Sequence, residues 1–217
     1  MIRAAIFDVD GLIIDTETPD YLCWKEIYAR CGVSLSAEEY TVQVGVSSGP
    51  PHPGVELARR CSQPLDPDAL NREHRERYLA MVDAGFGPLP GFPALLDALV
   101  AAGLARAVAS TARRDWVHSI LGRLGVAGAF QAIVTGDDAP RGKPHPDVYL
   151  LAAGRLGLPP GECLALEDSA PGVQAARAAG MRCIAAPNFL TRLQDLSAAD
   201  PVLDSLEQVT LELIRGE

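Results

Sequence analysis

The sequence predicts an α/β protein, a parallel sheet covered by helices on both faces and interrupted after its first strand by an all-helical insert. Two patterns predict this. From Gly91 onward, short apolar runs alternate with helical stretches of roughly ten to twelve residues, the rhythm of strands joined by helical crossovers. The first apolar run, residues 2–9, stands apart from the rest, cut off by a long stretch of helical spacing. The core is therefore expected to be discontinuous, residues 1–14 and 88–217, with the helical insert at 15–87.

Within the insert, Tyr21, Trp24, Ile27, Tyr28 and Cys31 recur at steps of three and four, a stripe that Gly32 stops. Residues 38–43 suit a short helix. The run SSGPPHPG (47–54) holds three prolines and is expected to be irregular. Residues 66–82 suit a further amphipathic helix, and DAGFGPLPG (83–91) reads as a linker. In the core, Phe92, Leu95, Leu96, Leu99 and Val100 mark one side of a helix ending at Gly103. LARAVAS (104–110) is a strand; the helix after it turns Trp116, Val117, Ile120, Leu121 and Leu124 inward and ends at Gly125. Strand FQAIVTG (130–136), helix PDVYLLAAGRLG (146–157), strand CLALED (163–168), helix APGVQAARAAG (170–180) and strand MRCIAAP (181–187) follow. A last helix is expected over 206–214.

The chain has 217 residues, enough for one sizeable core and a small accessory domain. With 48% hydrophobic and 22% charged residues it is expected to fold rather than remain disordered. A net charge of -9 without a dense Lys/Arg run argues against nucleic acid or an anionic membrane as partner. The apolar opening MIRAAIFDVDGLII is broken by Asp8 and Asp10, which argues against a secretory leader, and no apolar run is long enough to cross a bilayer. Five scattered cysteines without a CxxC pair suit free thiols in a reducing compartment. The four histidines, His52, His74, His118 and His145, form no zinc pattern. The expectation is a cytoplasmic monomer.

In open parallel sheets ligands bind beyond the carboxyl ends of the strands. Asp8 and Asp10 follow the first expected strand, Ser110 and Thr111 the second, Lys143 in RGKPHPD the third, and Glu167, Asp168 and Ser169 the fourth. Taken singly, each has a plain structural reading: Asp10-Gly11 as a turn, Ser110 and Thr111 as a helix cap, Lys143 as a solvated loop residue, Glu167-Asp168-Ser169 as a helix start. Four such groups at one rim favour a joint function. Carboxylates crowded together repel unless a cation is present, and an oxygen-only set without His or Cys suits a hard ion such as Mg²⁺. A hydroxyl, a lysine and turn N–H groups beside that ion make a phosphate cradle. An aspartate can attack phosphorus, and a second acid can protonate the leaving group and then activate water.

At these residues the chain resembles a haloacid dehalogenase superfamily phosphatase of the beta-phosphoglucomutase-like subgroup. FDVDGLIIDTE, VAST, GKPHPDVY and ALEDSAPGV resemble the four motifs of that family in order, over nearly the whole chain. The resemblance implies a Rossmann-like core with a mobile helical cap, and a Mg²⁺-dependent phosphatase acting on a small phosphorylated metabolite such as a sugar phosphate. It implies Asp8 as nucleophile and Asp10 as general acid/base. Asp8, the Asp10 carbonyl and Asp168 would hold Mg²⁺, with Glu167 supporting or coordinating directly. Ser110, Thr111, Lys143 and Gly11 would bind phosphate, Thr16 would lie at the cap hinge, and Asp20 in the cap would face the substrate. Beta-phosphoglucomutases carry a cap histidine where Asp20 aligns and a cap arginine where Val46 stands, so hydrolysis is favoured over the alternative of a hexose-phosphate mutase. A haloacid dehalogenase would resemble the first motif but have no use for Asp10 or the metal-binding acids, and the complete acids at 8, 10, 167 and 168 speak against a non-catalytic phospho-ligand-binding protein.

Overall fold

Five parallel strands, β1 (Ala4–Phe7), β2 (Ala105–Ala109), β3 (Ala132–Val134), β4 (Cys163–Glu167) and β5 (Arg182–Ala185), form one sheet in the order β3-β2-β1-β4-β5. The structure, a computed structural model, describes residues 1–46 and 51–216. β1 is central, paired with β2 on one side and β4 on the other. The strand order therefore reverses at β1, and a crevice opens there beyond the strand ends.

The side chains of β1 alternate between two apolar layers. Ala5 and Phe7 join the cluster packed by α5 (Phe92–Ala101), α6 (Arg114–Arg123) and α9 (Leu211–Arg215). Ala4 and Ile6 face α7 (Asp147–Leu156) and α8 (Ala170–Ala178), where alanines dominate and helices can approach the sheet closely. Phe7 is fully buried and meets the rings of Phe92 and Phe130 edge-on, at 5.8 and 5.9 Å.

Between β1 and α5 run α1 (Glu17–Arg30), α2 (Ala37–Thr41), α3 (Pro53–Arg60) and α4 (Pro67–Ala84). They gather around an apolar cluster of their own, built on Tyr21, Trp24, Ile27, Tyr28, Tyr40 and Leu57, into which Leu190 reaches from beyond β5. The two chain crossings to these helices run side by side, since the Leu89 N–H donates to the Ile13 carbonyl at 2.7 Å.

The structure departs from the sequence reading in four places. Residues 47–50 of the expected irregular run lie outside the described residues, but Pro53 opens helix α3 instead of preventing one. Proline suits the first helical position, and the His52 ring accepts the Gly54 N–H there. Val100 is exposed, because the inner stripe of α5 ends at Leu99. The last helix is broken: a 3₁₀ turn covers Leu206–Gln208, and α9 starts afresh where the Thr210 hydroxyl accepts the Leu213 N–H. Trp116 is only half-buried and turns its indole nitrogen toward Asp10.

The packing of Phe7 sets an expectation for stability. Phe7→Ala should lower the unfolding free energy by about 3–5 kcal/mol, read as a lower urea midpoint at an unchanged slope.

Candidate active site

Asp8 and Asp10 follow β1 on a tight turn whose conformation depends on Gly11. Gly11 has φ +81°, which favours glycine, and a Cβ there would stand 2.4 Å from Asp168 Oδ2. The missing side chain lets the β1 turn and the β4 turn touch. Three carboxylates then converge: ligand oxygens of Asp8, Glu167 and Asp168 lie within 4.8 Å of one another, all buried.

Lys143, from the loop between β3 and α7, is the cation set among them. Its ammonium donates to Asp8 and lies 2.6 Å from Glu167 Oε1. Burial works against the lysine's charge, but Asp8 and Glu167 more than offset it and hold its pKa above the ordinary range. Burial, opposed by Lys143 and reinforced by Glu167, pushes Asp8 up to about 7. Burial and the neighbouring Glu167 and Asp8 raise Asp168 well above the usual carboxylate range.

The other partners divide the acids by task. Glu167 is saturated: Oε1 accepts from Lys143 and the Tyr149 hydroxyl, while Oε2 accepts the Asp168 and Ser169 N–H groups and the Ser169 hydroxyl. Asp168 Oδ2 accepts the Asn188 amide at 2.9 Å. Asp10 stands apart from the three-acid group; its Oδ1 accepts the Trp116 indole N–H at 2.8 Å. Its pKa is raised by burial and drawn back first by that indole bond, then by Thr16 and the charge of Lys143.

Ser110 is buried after β2, and its Oγ accepts the Ala112 N–H at 3.0 Å. Asp8, Asp10, Ser110, Thr111, Lys143 and Asp168 line one cavity of about 440 Å³. Its far wall comes from the α1–α4 helices: Glu17, Asp20, Trp24, Tyr40, Val46 and His52. Asp20 reaches this wall already paired, accepting from the Tyr40 hydroxyl and lying 2.9 Å from His74 Nε2. Glu17, beside it, is raised well above the ordinary range by burial and then by Asp20. Thr16 is buried just ahead of α1.

Every site residue expected from the sequence except Gly11, Thr16 and Glu167 lines this cavity; Gly11 and Glu167 support it from behind. The sequence reading did not single out Glu17, Tyr40, Tyr149 or Asn188, and it placed Trp116 in the core. Asn188 was within reach of the strand-end rule, three residues past β5. Tyr149 sits inside GKPHPDVY but resembles the inward side of α7.

The fold is a parallel α/β sheet with a buried acidic cluster at its strand ends. The family model for haloacid dehalogenase-like hydrolases matches residues 2–180, and the chain belongs to that family. It is 37% identical over 214 residues to YhcW of Bacillus subtilis, covering 99% of this chain and 96% of that one. It is 34% identical over 184 residues to the fructose-1-phosphate phosphatase YqaB of Escherichia coli, covering 82% and 93%. CbbY of Rhodobacter sphaeroides, solved with phosphate, superposes with a TM-score of 0.76 at 31% identity over 99% of this chain and all of that one. The same protein has been solved with xylulose-(1,5)bisphosphate, at a TM-score of 0.74. No helix among the described residues is long and apolar enough to cross a membrane.

The raised carboxyls make a prediction about cations and pH. A group that holds its proton more tightly when folded lends stability below its unfolded pKa, and that contribution is lost as pH rises through the folded value. Asp8 should therefore weaken the cation-free fold as pH climbs from about 4 through 7, and Asp168, raised in the same direction, should add to the loss. A divalent cation favours the ionised carboxyls, so the rise in Tm on adding one should be larger at pH 8 than at pH 5. A thermal melt with and without millimolar MgCl₂ at both pH values checks this; an equal rise at both would contradict it.

Proposed function

We propose that the protein is a Mg²⁺-dependent phosphatase that hydrolyses a small phosphomonoester through an aspartyl-phosphate on Asp8. One observation carries the reading: segments after β1, β2, β3 and β4 bring Asp8, Ser110, Lys143 and Asp168 to one cavity, with Asp10 beside them. The donor set fits the ion, since the cluster offers carboxylate oxygens only and Mg²⁺ prefers one or two carboxylates plus phosphate oxygens. Asp8, Asp168 and the Asp10 carbonyl would hold it. Glu167, with its acceptors filled by Lys143, Tyr149 and the β4 turn, supports the loop and the lysine instead of coordinating. When bound, the ion neutralises charge on the phosphoryl oxygens.

The chain's own residues do the rest. Lys143 and the Ser110 hydroxyl, with the N–H groups near Gly11 and Thr111, hold the phosphoryl oxygens in line with Asp8. An Asp8 oxygen attacks phosphorus as the ester bond breaks, and Asp10 gives its proton to the departing oxygen. Asp10 then takes a proton from the water that hydrolyses the aspartyl-phosphate. The α1–α4 helices act as the cap, crossing to the core at residues 14–16 and 88–90, and they exclude bulk water from Asp8.

The cavity wall indicates the leaving group. Among the described residues that line it, Lys143 is the one lysine or arginine, while Glu17 and Asp20 occupy the cap side. A second phosphate there would meet two acidic side chains and, among the described lining residues, no lysine or arginine to neutralise it, so monophosphates with an uncharged, hydroxyl-bearing leaving group suit the wall better than bisphosphates. This favours hydrolysis over a mutase reaction, whose intermediate carries two phosphates.

A phosphate-release panel of sugar and polyol monophosphates and bisphosphates, run with Mg²⁺ and with a chelator, tests the reading. Turnover should require the ion and favour monophosphates. Asp8→Asn should abolish it, and Asp10→Asn should slow it by about 10²–10⁴-fold. Wild-type rates in Asp8→Asn would overturn the mechanism.

A further inference from the structure

Asp10 differs from Asp8 and Glu167 in the kind of partner it has. Those two meet the Lys143 ammonium, whereas Asp168 accepts from the neutral Asn188 amide and Asp10 Oδ1 from the neutral indole N–H of Trp116 on α6. The other side of the contact belongs to the cap. The Trp116 ring lies 6.1 Å from that of Tyr78 on α4, tilted by 33°. Tyr78 stacks on His74 at 5.9 Å and 11°, and His74 pairs with Asp20 on the cavity wall.

We propose that Trp116 is a positioning residue that aims the Asp10 carboxyl at the leaving group, and that Tyr78 seats the Trp116 ring when the cap covers the site. The role rests on Asp10 being the acid/base of the phosphatase reading. An indole N–H only donates, so the oxygen it holds can only accept. The carbonyl oxygen of a protonated carboxyl is the better acceptor of its two oxygens, so the indole bond favours the Asp10 proton on Oδ2, and pinning Oδ1 fixes the direction in which Oδ2 points. In the first step the Asp8–phosphorus bond forms, the ester P–O bond breaks, and the Oδ2 proton passes to the departing oxygen. In the second, a water oxygen bonds to phosphorus, the Asp8–phosphorus bond breaks, and the water proton returns to Oδ2. A neutral donor serves both halves because it bonds Oδ1 whether Oδ2 is protonated or not. A lysine in its place would favour the ionised carboxyl and disarm the acid.

The cap contact gives this positioning a trigger. Asp20 touches the space where the leaving group must lie, and the series Asp20–His74–Tyr78–Trp116–Asp10 joins that space to the group that protonates it. Withdrawal of α4 would free the indole ring, and with it Oδ1.

The test compares first-turnover rates of Trp116→Phe and wild type on two esters. A sugar or glycerol phosphate leaves as a poor leaving group that needs a proton, whereas p-nitrophenyl phosphate releases p-nitrophenolate without one. Trp116→Phe should lower the ratio of alkyl to aryl first-turnover rates by about tenfold, part of the 10²–10⁴ that acid–base catalysis supplies. KM for the alkyl ester should stay within about threefold, and Trp116→His, which retains a ring N–H, should recover part of the ratio. Tyr78→Leu should lower the ratio in the same sense by a smaller factor. Equal slowing of both esters, or no slowing of either, would show that Trp116 only packs. Should Trp116→Phe fail to fold by circular dichroism, the Tyr78→Leu ratio decides, an unchanged value overturning the proposal. A wild type inert toward both esters would sink the phosphatase reading itself.

Discussion

The buried ammonium of Lys143 is the constraint around which the rest of the site is arranged. Three carboxylates from two strand ends crowd into a dry pocket, and such a group is tolerated only if opposite charge and hydrogen bonds accompany it. Lys143 supplies part of that charge and binds Asp8 and Glu167 together. The parallel sheet makes the meeting possible, because β1 is flanked by β2 and β4 and the chain from β3 reaches back over the same edge. Three acids against one lysine still leave an excess of negative charge, which makes the pocket a natural seat for a divalent ion.

A pocket with that excess must still admit a phosphate dianion, and the arrangement of groups resolves the conflict. On the core side, Lys143, the Ser110 hydroxyl and turn N–H groups stand beside the carboxylates, and a bound cation would add to them. On the cap side stand Glu17 and Asp20, with the Tyr40 phenol and the Trp24 and His52 rings. On the proposed reading, a monoester's phosphate is drawn to the core side, where Lys143 stands, and its other end is left to the polar groups of the wall. Asp20 is fixed in this half-covered position because the Tyr40 hydroxyl donates to it and His74 lies beside it.

The sheet and most of the core side of the site were legible in the sequence for the same reason. Strands end locally, and in a parallel sheet their ends share one edge, so Asp8, Asp10, Ser110, Lys143 and Asp168 could be assembled without coordinates. Aromatic side chains defeated the same reasoning. Tyr149 and Trp116 sit at positions on α7 and α6 where a helical stripe reads as core, and the stripe carries no information about where a hydroxyl or an indole N–H points. The site uses those polar tips, on Glu167 and Asp10. Helix α3 was hidden because proline signals a breaker and a first helical residue alike. The wall formed by Glu17 and Tyr40 depends on how the cap helices sit against the core, which no local pattern encodes.

That seating rests in part on a few individual hydrogen bonds. Gln194, in the segment after β5, accepts the Ala170 N–H with its oxygen and donates from its nitrogen to the carbonyls of Thr41 and Val44. The Thr41 hydroxyl donates to the Leu190 carbonyl, and Leu190 itself enters the cap cluster. Each such hydrogen bond contributes a net ~0.5–1.5 kcal/mol, so the polar part of the closure amounts to a few kcal/mol. On the proposed reading, contacts of that size let the α1–α4 helices open to exchange substrate for product. Ala170 begins the helix that follows Glu167, Asp168 and Ser169, so Gln194 ties the cap to the same turn that carries the acids. Two of the contacts between the α1–α4 helices and the core lead to the acids: Gln194 to the turn that carries Glu167 and Asp168, and Tyr78 through Trp116 to Asp10. On the proposed reading, opening of the cap would loosen both.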